Sequence, residues 1–564
     1  MTAKYGRILN VTDALFSKWE NSEADKRIAI YYKDEVWSYR KVIEEINRVG
    51  NALRELGVEK ENRILIIAYD TPFFISIFYS AMKIGAIPVP VNTYLKPEEY
   101  LFLLEDTGAK VLAIEPDIWP KLSPYLKGRA DKLKHVIILP SISETQKITF
   151  EDHNHKAELS FYHGLVSTAS THLEAEKTSP NDMAFWLYTS GTTGHPKAAV
   201  HLHKDILVVL DTYVKNVLKI SEKDRLFSAS KLFFAYGLGN GSYFAFGNGA
   251  STVLMPDRVE PRRVLETIHK YKPTIFFGVP TLYNAMLHVE DWKNYNLTSL
   301  RFCVSAGEPL PPLIYIKWKE RYGVEILDGI GSTEALHIYI SNIPSNSKPG
   351  CTGKPVPGYE VKIVDEDGNE VPPKTIGDLY VKGDSVAMFY WNDYESTRKN
   401  MMGSWFRTGD KFYRDDEGYY YYVGRSDDMV KTSGLWVSPI EVESALLSHP
   451  AVLEAAVVGI PENALLNKSV KEIERIALEE AEKISPRYTR GKEIKRKGYA
   501  KYKFLKEFNI IKTGRRIIYK VHWITVKLTN KDGKRVKTST EEELEKESEL
   551  VKRELLTTLR LEGN

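Results

Sequence analysis

The runs "RILIIAY", "KVLAIEP", "HVIIL", "TIFFGVP" and "RFCVSAGEPLP" recur along the chain up to Pro311, and helical or loop sequence separates each from the next. They read as short buried strands. Strands that alternate with helices predict an α/β architecture with parallel pairing. From Trp37 to Gly57, Val42, Ile46, Val49, Leu53 and Leu56 recur at three and four positions, marking one buried face of a helix that Gly57 closes. The most membrane-like run, "FFISIFYSAMKIGAIPVPVN", is broken by Lys83, Pro88 and Pro90, which predicts a buried helix followed by a strand. After Gly350 shorter strands and Gly/Pro turns suggest a β-rich subdomain, and a small unit begins at Arg425.

With 564 residues the chain exceeds what one core usually serves, so two or more domains are expected. A net charge of +3 gives no global reason to bind nucleic acid or an anionic membrane, although Lys and Arg dominate between Pro461 and Thr540. Only Cys303 and Cys351 are present, too few for a disulfide framework or a zinc site, and no signal peptide opens the sequence; a cytoplasmic location is expected. A single glutamine, Gln146, beside abundant Lys, Glu, Ile and Tyr suggests a thermophilic source.

"TSGTTGHPK" gathers two glycines, several hydroxyls and Lys197. Such a loop wraps phosphate oxygens, unless it is only a polar hairpin turn. It is not the P-loop, because Gly191 and Gly194 lie three apart and Pro196 precedes the lysine. Five further polar-glycine islands end hydrophobic strands: "KLFFAYGLGNG", "SAGEP", "DGIGSTE", "WFRTGD" and "GRSDDMVKTSG". His201 and His203 have metal-like spacing on a strand, and with no third ligand nearby a structural role is preferred.

In order and content these islands resemble the adenylate-forming superfamily of acyl-CoA synthetases, adenylation domains and luciferases, from about Asn10 to Ile460. Within it "PVNTYL", "FFGVPTLY", "VSAGEPLP" and "EILDGIGSTEALHIYISN" look like the blocks of benzoate-CoA ligase and related archaeal acid-CoA ligases. The resemblance implies an α/β fold: a large N-terminal AMP-binding domain at 1-424 with parallel sheets in αβαβα layers and a β-rich subdomain at about 350-424. A small mobile C-terminal α+β domain would follow at 425-564, atypical after 461. It also implies ATP, Mg²⁺ and coenzyme A as cofactors, a small carboxylic acid as substrate, and two steps through an acyl-adenylate. A homodimer is the assembly considered.

By the same resemblance, Thr189, Ser190, Gly191, Thr192, Thr193, Gly194 and Lys197 would hold the β and γ phosphates. Thr333 would hydrogen-bond the α-phosphate, and Glu334 would hold Mg²⁺. Asp410 would grip the ribose hydroxyls with Arg425 as a second contact. Ser305, Ala306, Gly307, Glu308 and Pro309 would line the adenine slot with Asp328, Gly329, Ile330 and Gly331, Ile330 standing where many relatives carry an aromatic. Phe234, Ala235, Tyr236, Gly237, His337 and Ile338, together with Gly329 and Gly331, would form a flat slot for the acid. A ring suits it, and Tyr236 or His337 would equally serve a hydroxyl on a short aliphatic acid such as 4-hydroxybutyrate. For His337 a satisfied, partly buried histidine is an equal alternative. Asp427 would be the hinge, with Lys431 and Gly434 facing the site when coenzyme A enters.

The family's Pro-x-x-x-x-Gly-Lys segment near the end is not recognisable. "NKDGKRVK" offers Lys534 as the nearest substitute for its catalytic lysine. Three readings of the tail stay open: a diverged domain, a translated frameshift, or a nucleotide-binding protein that has lost adenylation. The closing "STEEELEKESELVKRELLTTLRLEG" reads as a solvated amphipathic helix.

Overall fold

Continuous apolar strands need cover on both faces, and here two sheets supply the framework. The structure, a computed structural model, describes residues 5–20, 23–141, 157–189 and 196–426, with short strands at 430–432, 435–437, 507–513 and 516–522. Arg63–Ile67, Val111–Ile114 and His135–Ile138 run parallel in a five-stranded sheet, flanked by Ile87–Pro90 on one side and Glu158–Phe161 on the other. A nine-stranded sheet has a parallel centre of Ile28–Tyr32, Ser251–Leu254, Arg225–Ser228, Ile275–Gly278, Phe302–Ser305 and Ile326–Gly331. Its edges turn antiparallel, through Glu35–Ser38 at one end and Ile338–Ser341 with Lys354–Pro355 at the other. The expected α/β architecture is present, with this antiparallel border as a difference.

The helix read from its apolar spacing spans Tyr39–Glu55 and buries Val42, Ile46, Val49 and Leu53. Trp37 belongs instead to the strand Glu35–Ser38, because the Ser38 side chain accepts the Lys41 N–H and so caps the helix start. The membrane-like run divides into the buried helix Pro72–Lys83 and the strand Ile87–Pro90. Lys83 is buried there, with Nζ 2.8 Å from Asn47 Oδ1. No helix among the described residues is long and apolar enough to cross a membrane.

After Gly350 an antiparallel sheet pairs Glu360–Val364, Gly377–Lys382, Trp405–Arg414 and Tyr420–Arg425. The chain divides into two units, Met1–Asp427 and Asp428–Asn564. Within the second, Val430–Thr432 pairs with Leu435–Val437 and Glu507–Thr513 with Arg516–His522, both antiparallel.

Candidate active site

The strand Met183–Thr189 pairs antiparallel with Lys197–Leu202, placing Thr189 opposite Lys197. Neighbouring strands joined by so few residues can pair only antiparallel, since a parallel pair needs a crossover of a dozen residues or more. Ser190, Gly191, Thr192, Thr193 and Gly194 lie outside the described residues. Residues 387–391 extend the hairpin: Met388 N donates to Val200 O, Val200 N to Phe389 O and Trp391 N to Ala198 O, at 2.9–3.0 Å.

That pairing brings Tyr390 to Lys197 and Glu334. Lys197 Nζ lies 2.6 Å from Ser396 Oγ, 3.8 Å from Asp393 Oδ2 and 5.8 Å from the Tyr390 ring centroid. The Tyr390 hydroxyl donates to Glu334 Oε1 at 2.6 Å, and Ala387 N donates to the Glu334 carbonyl at 2.6 Å. Burial and the Glu334 charge push the Tyr390 phenol up, keeping it a proton donor. Thr333 precedes this anchored glutamate, and its carbonyl accepts from Leu336 N at 3.1 Å and His201 Nε2 at 2.8 Å.

Asp410 and Arg425 face each other across paired strands. Arg425 Nη1 donates to Asp410 Oδ1 at 2.9 Å. Burial pushes the Asp410 carboxyl up, Arg425 opposes this, and the Glu334 charge adds to the rise, so all three groups share one electrostatic neighbourhood.

Gly278, Ser305 and Asp328 stand in register on three parallel strands; Gly278 and Ser305 end theirs, where ligands of open α/β sheets gather, and Asp328 is the last residue of its strand to pair with Phe302–Ser305. Ser305 Oγ and Asp328 Oδ1 are buried without hydrogen-bond partners among the described residues. Burial pushes the Asp328 carboxyl well up. Ala306, Gly307, Glu308 and Pro309 follow in the loop before the helix Pro312–Tyr322, and Glu308 accepts from Thr281 N and Oγ1, both at 3.3 Å. Gly329, Ile330 and Gly331 turn antiparallel onto Ile338–Ser341; Ile330 is half-buried opposite Ile340.

His337 is fully buried against the rings of Phe244, Tyr213 and Tyr236, with centroids 4.6, 5.3 and 5.6 Å away. A Cβ on Gly331 would sit 2.5 Å from the His337 carbonyl, so only glycine allows this approach. His337 Nε2 lies 3.1 Å from Asn240 Oδ1, and burial lowers the imidazole to about 3. The Tyr236 hydroxyl donates to the carbonyls of Gly278 and Val304, both at 3.2 Å. Ala235 and Ile338 are buried, while Phe234 caps the short helix Ala235–Leu238 and is 48% exposed, outside the ring cluster.

The histidine pair does not share a face for a metal. The strand ends at Leu202, so His203 opens the helix His203–Val209 rather than continuing the strand. Its Nδ1 accepts from Val11 N at 3.1 Å, and burial lowers the ring to about 4. Among the described residues no cluster of three or more His, Cys, Asp or Glu is arranged to hold a metal. Glu334 is thus a single hard carboxylate with Oε1 already engaged, which fits Mg²⁺ held jointly by one protein oxygen and substrate phosphates. Lys431 lies in the strand Val430–Thr432. Asp427, Gly434 and Lys534 lie outside the described residues.

Tyr390 and His201 are the organising residues that motif reading did not assign to the site. His201 was visible only as half of a metal-like spacing. Tyr390, in "FYWND", carries no local signal, because its role depends on pairing with residues far earlier in the chain.

Residues 16–391 match the family described as AMP-binding enzyme, and 441–470 match the AMP-binding enzyme C-terminal domain. A benzoate–CoA ligase of Thauera aromatica is 44% identical over 425 residues, 75% of this chain and 78% of that protein. The solved structure of the anthranilate CoA ligase AuaEII in complex with anthranoyl-AMP is similar with TM-score 0.77 and 38% identity, covering 84% of this chain and 91% of that one. A benzoate CoA ligase from Burkholderia xenovorans LB400 gives TM-score 0.73 and 36% identity, covering 85% and 94%.

Proposed function

Because the chain belongs to the AMP-binding enzyme family, we propose that it is an ATP-dependent, AMP-forming carboxylic acid-CoA ligase acting on benzoate-type aromatic acids. A carboxylate is a poor acyl donor because its leaving group would be oxide. One carboxylate oxygen therefore attacks the α-phosphorus of ATP, the bond to pyrophosphate breaks, and an acyl-adenylate forms. The sulfur of coenzyme A then attacks the acyl carbon, AMP leaves, and the thiol proton passes to solvent.

The observation that carries this reading is the contact chain from Lys197 through Tyr390 to Glu334, with Thr333 adjoining and Asp410 in the same electrostatic field. Lys197 neutralises phosphate charge once phosphate displaces Ser396 and Asp393 from its ammonium. Thr333 binds the α-phosphate, and Asp410 with Arg425 orients the ribose. Such fixed donors act where charge develops in the transition state. Glu334 would hold Mg²⁺, which when bound supplies further neutralisation at the phosphate oxygens. Ser305 Oγ and Asp328 Oδ1 are buried polar atoms suited to the nucleotide base.

For the acid, the neutral His337 within its ring cluster favours an aromatic substrate. The Tyr236 hydroxyl and His337 Nε2 are already engaged by protein groups, so of these two side chains His337 Nδ1, buried without a hydrogen-bond partner among the described residues, is the polar atom left to meet a substrate hydroxyl, as on a hydroxybenzoate. Asp427 as hinge, Gly434 and Lys431 beside coenzyme A, Lys534 as adenylation lysine, and a cytoplasmic homodimer belong to the same proposal. Light scattering of the pure chain tests the dimer, and loss of adenylation in Lys534→Ala tests that lysine.

The decisive assay supplies ATP, Mg²⁺ and coenzyme A with benzoate, hydroxybenzoates, anthranilate or 4-hydroxybutyrate, and measures AMP and thioester. Aromatic acids are expected to give the highest kcat/KM. Higher kcat/KM for 4-hydroxybutyrate would overturn the substrate class, and no acid-dependent AMP would overturn the reaction.

A further inference from the structure

We infer that His201, oriented by Asp205, is a positioning residue for adenylation: it pins the Thr333 carbonyl and so sets the Thr333–Glu334 pair relative to Lys197. The inference rests on the ligase reading above. Side chains alternate along a strand, so Lys197, Ala199 and His201 project from one face of Lys197–Leu202. Lys197 approaches the Tyr390 ring, Ala199 forms a bridge with Tyr390, and His201 reaches Thr333. One strand thereby sets the spacing between the phosphate-binding ammonium and the pair that meets the α-phosphate and the cation.

The His201 ring has no freedom to drift. It is fully buried and stacks on Phe185 at 5.1 Å with the planes 19° apart. Its Nδ1 lies 3.0 Å from Asp205 Oδ2, an oxygen that also accepts Leu202 N at 2.9 Å. A carbonyl oxygen cannot donate, so the 2.8 Å contact to Thr333 has Nε2–H as its donor.

The pinned turn needs such help. Leu336 has φ 69°, a left-handed conformation that costs a branched, bulky residue roughly 1–2 kcal/mol. Leu336 N also donates to the Thr333 carbonyl, so His201 supplies a second donor to the oxygen on which the strained turn closes. The next carbonyl, of Glu334, is held by Ala387 N, and its carboxylate by Tyr390.

Two amide replacements separate the ring's two contacts. The nitrogen of His201→Gln reaches the place of Nε2 and keeps the donor to Thr333; that of His201→Asn reaches the place of Nδ1 and keeps only the Asp205 contact. The readouts are benzoate-dependent ATP–pyrophosphate exchange and, separately, thioester formation from supplied benzoyl-adenylate and coenzyme A. His201→Asn is expected to slow exchange at saturating ATP on the order of 10²-fold, the size of effect a misplaced catalytic group produces, with the thioester half-reaction spared. His201→Gln is expected to restore most of the exchange.

Equal exchange in the two variants, or equal loss in both half-reactions, would overturn the inference. If His201→Asn does not fold, Asp205→Asn gives the same reading: selective loss of exchange supports positioning, and uniform loss overturns it. Absence of exchange in the unmodified chain would instead defeat the ligase reading underneath.

Discussion

Tyr390 does two jobs with two parts of one side chain. Its ring stands near the Lys197 ammonium, and its hydroxyl holds Glu334 Oε1. Tyr390→Phe keeps the first and deletes the second, leaving a buried carboxylate oxygen without its donor. Hydrogen bonds to charged groups contribute about 1.5–3 kcal/mol, so adenylation is expected to slow by roughly 10- to 100-fold. The KM for ATP should change less, since Lys197 and Asp410 are untouched. Steady-state ATP–pyrophosphate exchange measures both parameters. A variant with an unchanged rate would mean that Glu334 is held well enough by its carbonyl bond to Ala387.

At the scale of elements, legibility followed periodicity. The helix Tyr39–Glu55 was readable because its buried residues repeat at three and four positions, and the parallel strands because both faces are apolar. Pairing partners across long separations leave no such trace. The bonds between residues 387–391 and Lys197–Leu202 bring Tyr390 to Glu334, yet neither segment shows in its own pattern that the other is its neighbour. The left-handed Leu336 was equally illegible, because that conformation normally selects glycine or asparagine and the tertiary contacts at Thr333 override the preference. Of the glycines in "KLFFAYGLGNG" the sequence reading places Gly237 in the acid slot, and the surroundings of these glycines differ. A Cβ on Gly237 would lie 2.0 Å from the Lys231 carbonyl oxygen, whereas on Gly241 its nearest neighbour would be the end of the Leu232 side chain at 3.0 Å, with Ser228 Cβ at an ordinary 3.9 Å. Backbone cannot retreat as a leucine tip can. Gly237→Ala should destabilise the first unit by about 2 kcal/mol or more and Gly241→Ala by distinctly less, a contrast that urea midpoints of the two variants will reveal.

Across the whole molecule, buried titratable groups set opposing limits on the pH range of stability. Glu115 is 1% exposed at the end of the strand Val111–Ile114; its Oε1 accepts Tyr69 N at 3.0 Å, and Oε2 has no hydrogen-bond partner among the described residues. Burial raises its carboxyl from an ordinary 4.5 to about 8. Between those values the native chain retains a proton that the unfolded chain releases, so this contribution is complete below about pH 4.5 and is lost as pH rises through about 8. His203 acts with the opposite sign: its pKa falls from 6.5 to about 4, the unfolded chain takes up the proton first, and stability is lost as pH drops through that window. Glu115→Gln preserves an acceptor for Tyr69 N and abolishes the alkaline-side ionisation while leaving His203 in place. Near pH 5 the variant and the parent should therefore unfold at similar urea concentrations and share the same acid-side decline. Toward pH 9 the variant should become the more stable of the two, by an amount on the order of a few kcal/mol. Unfolding curves that stay parallel from pH 5 to pH 9 would mean that Glu115 ionises in the native chain without penalty, so that burial at this strand end does not hold its proton.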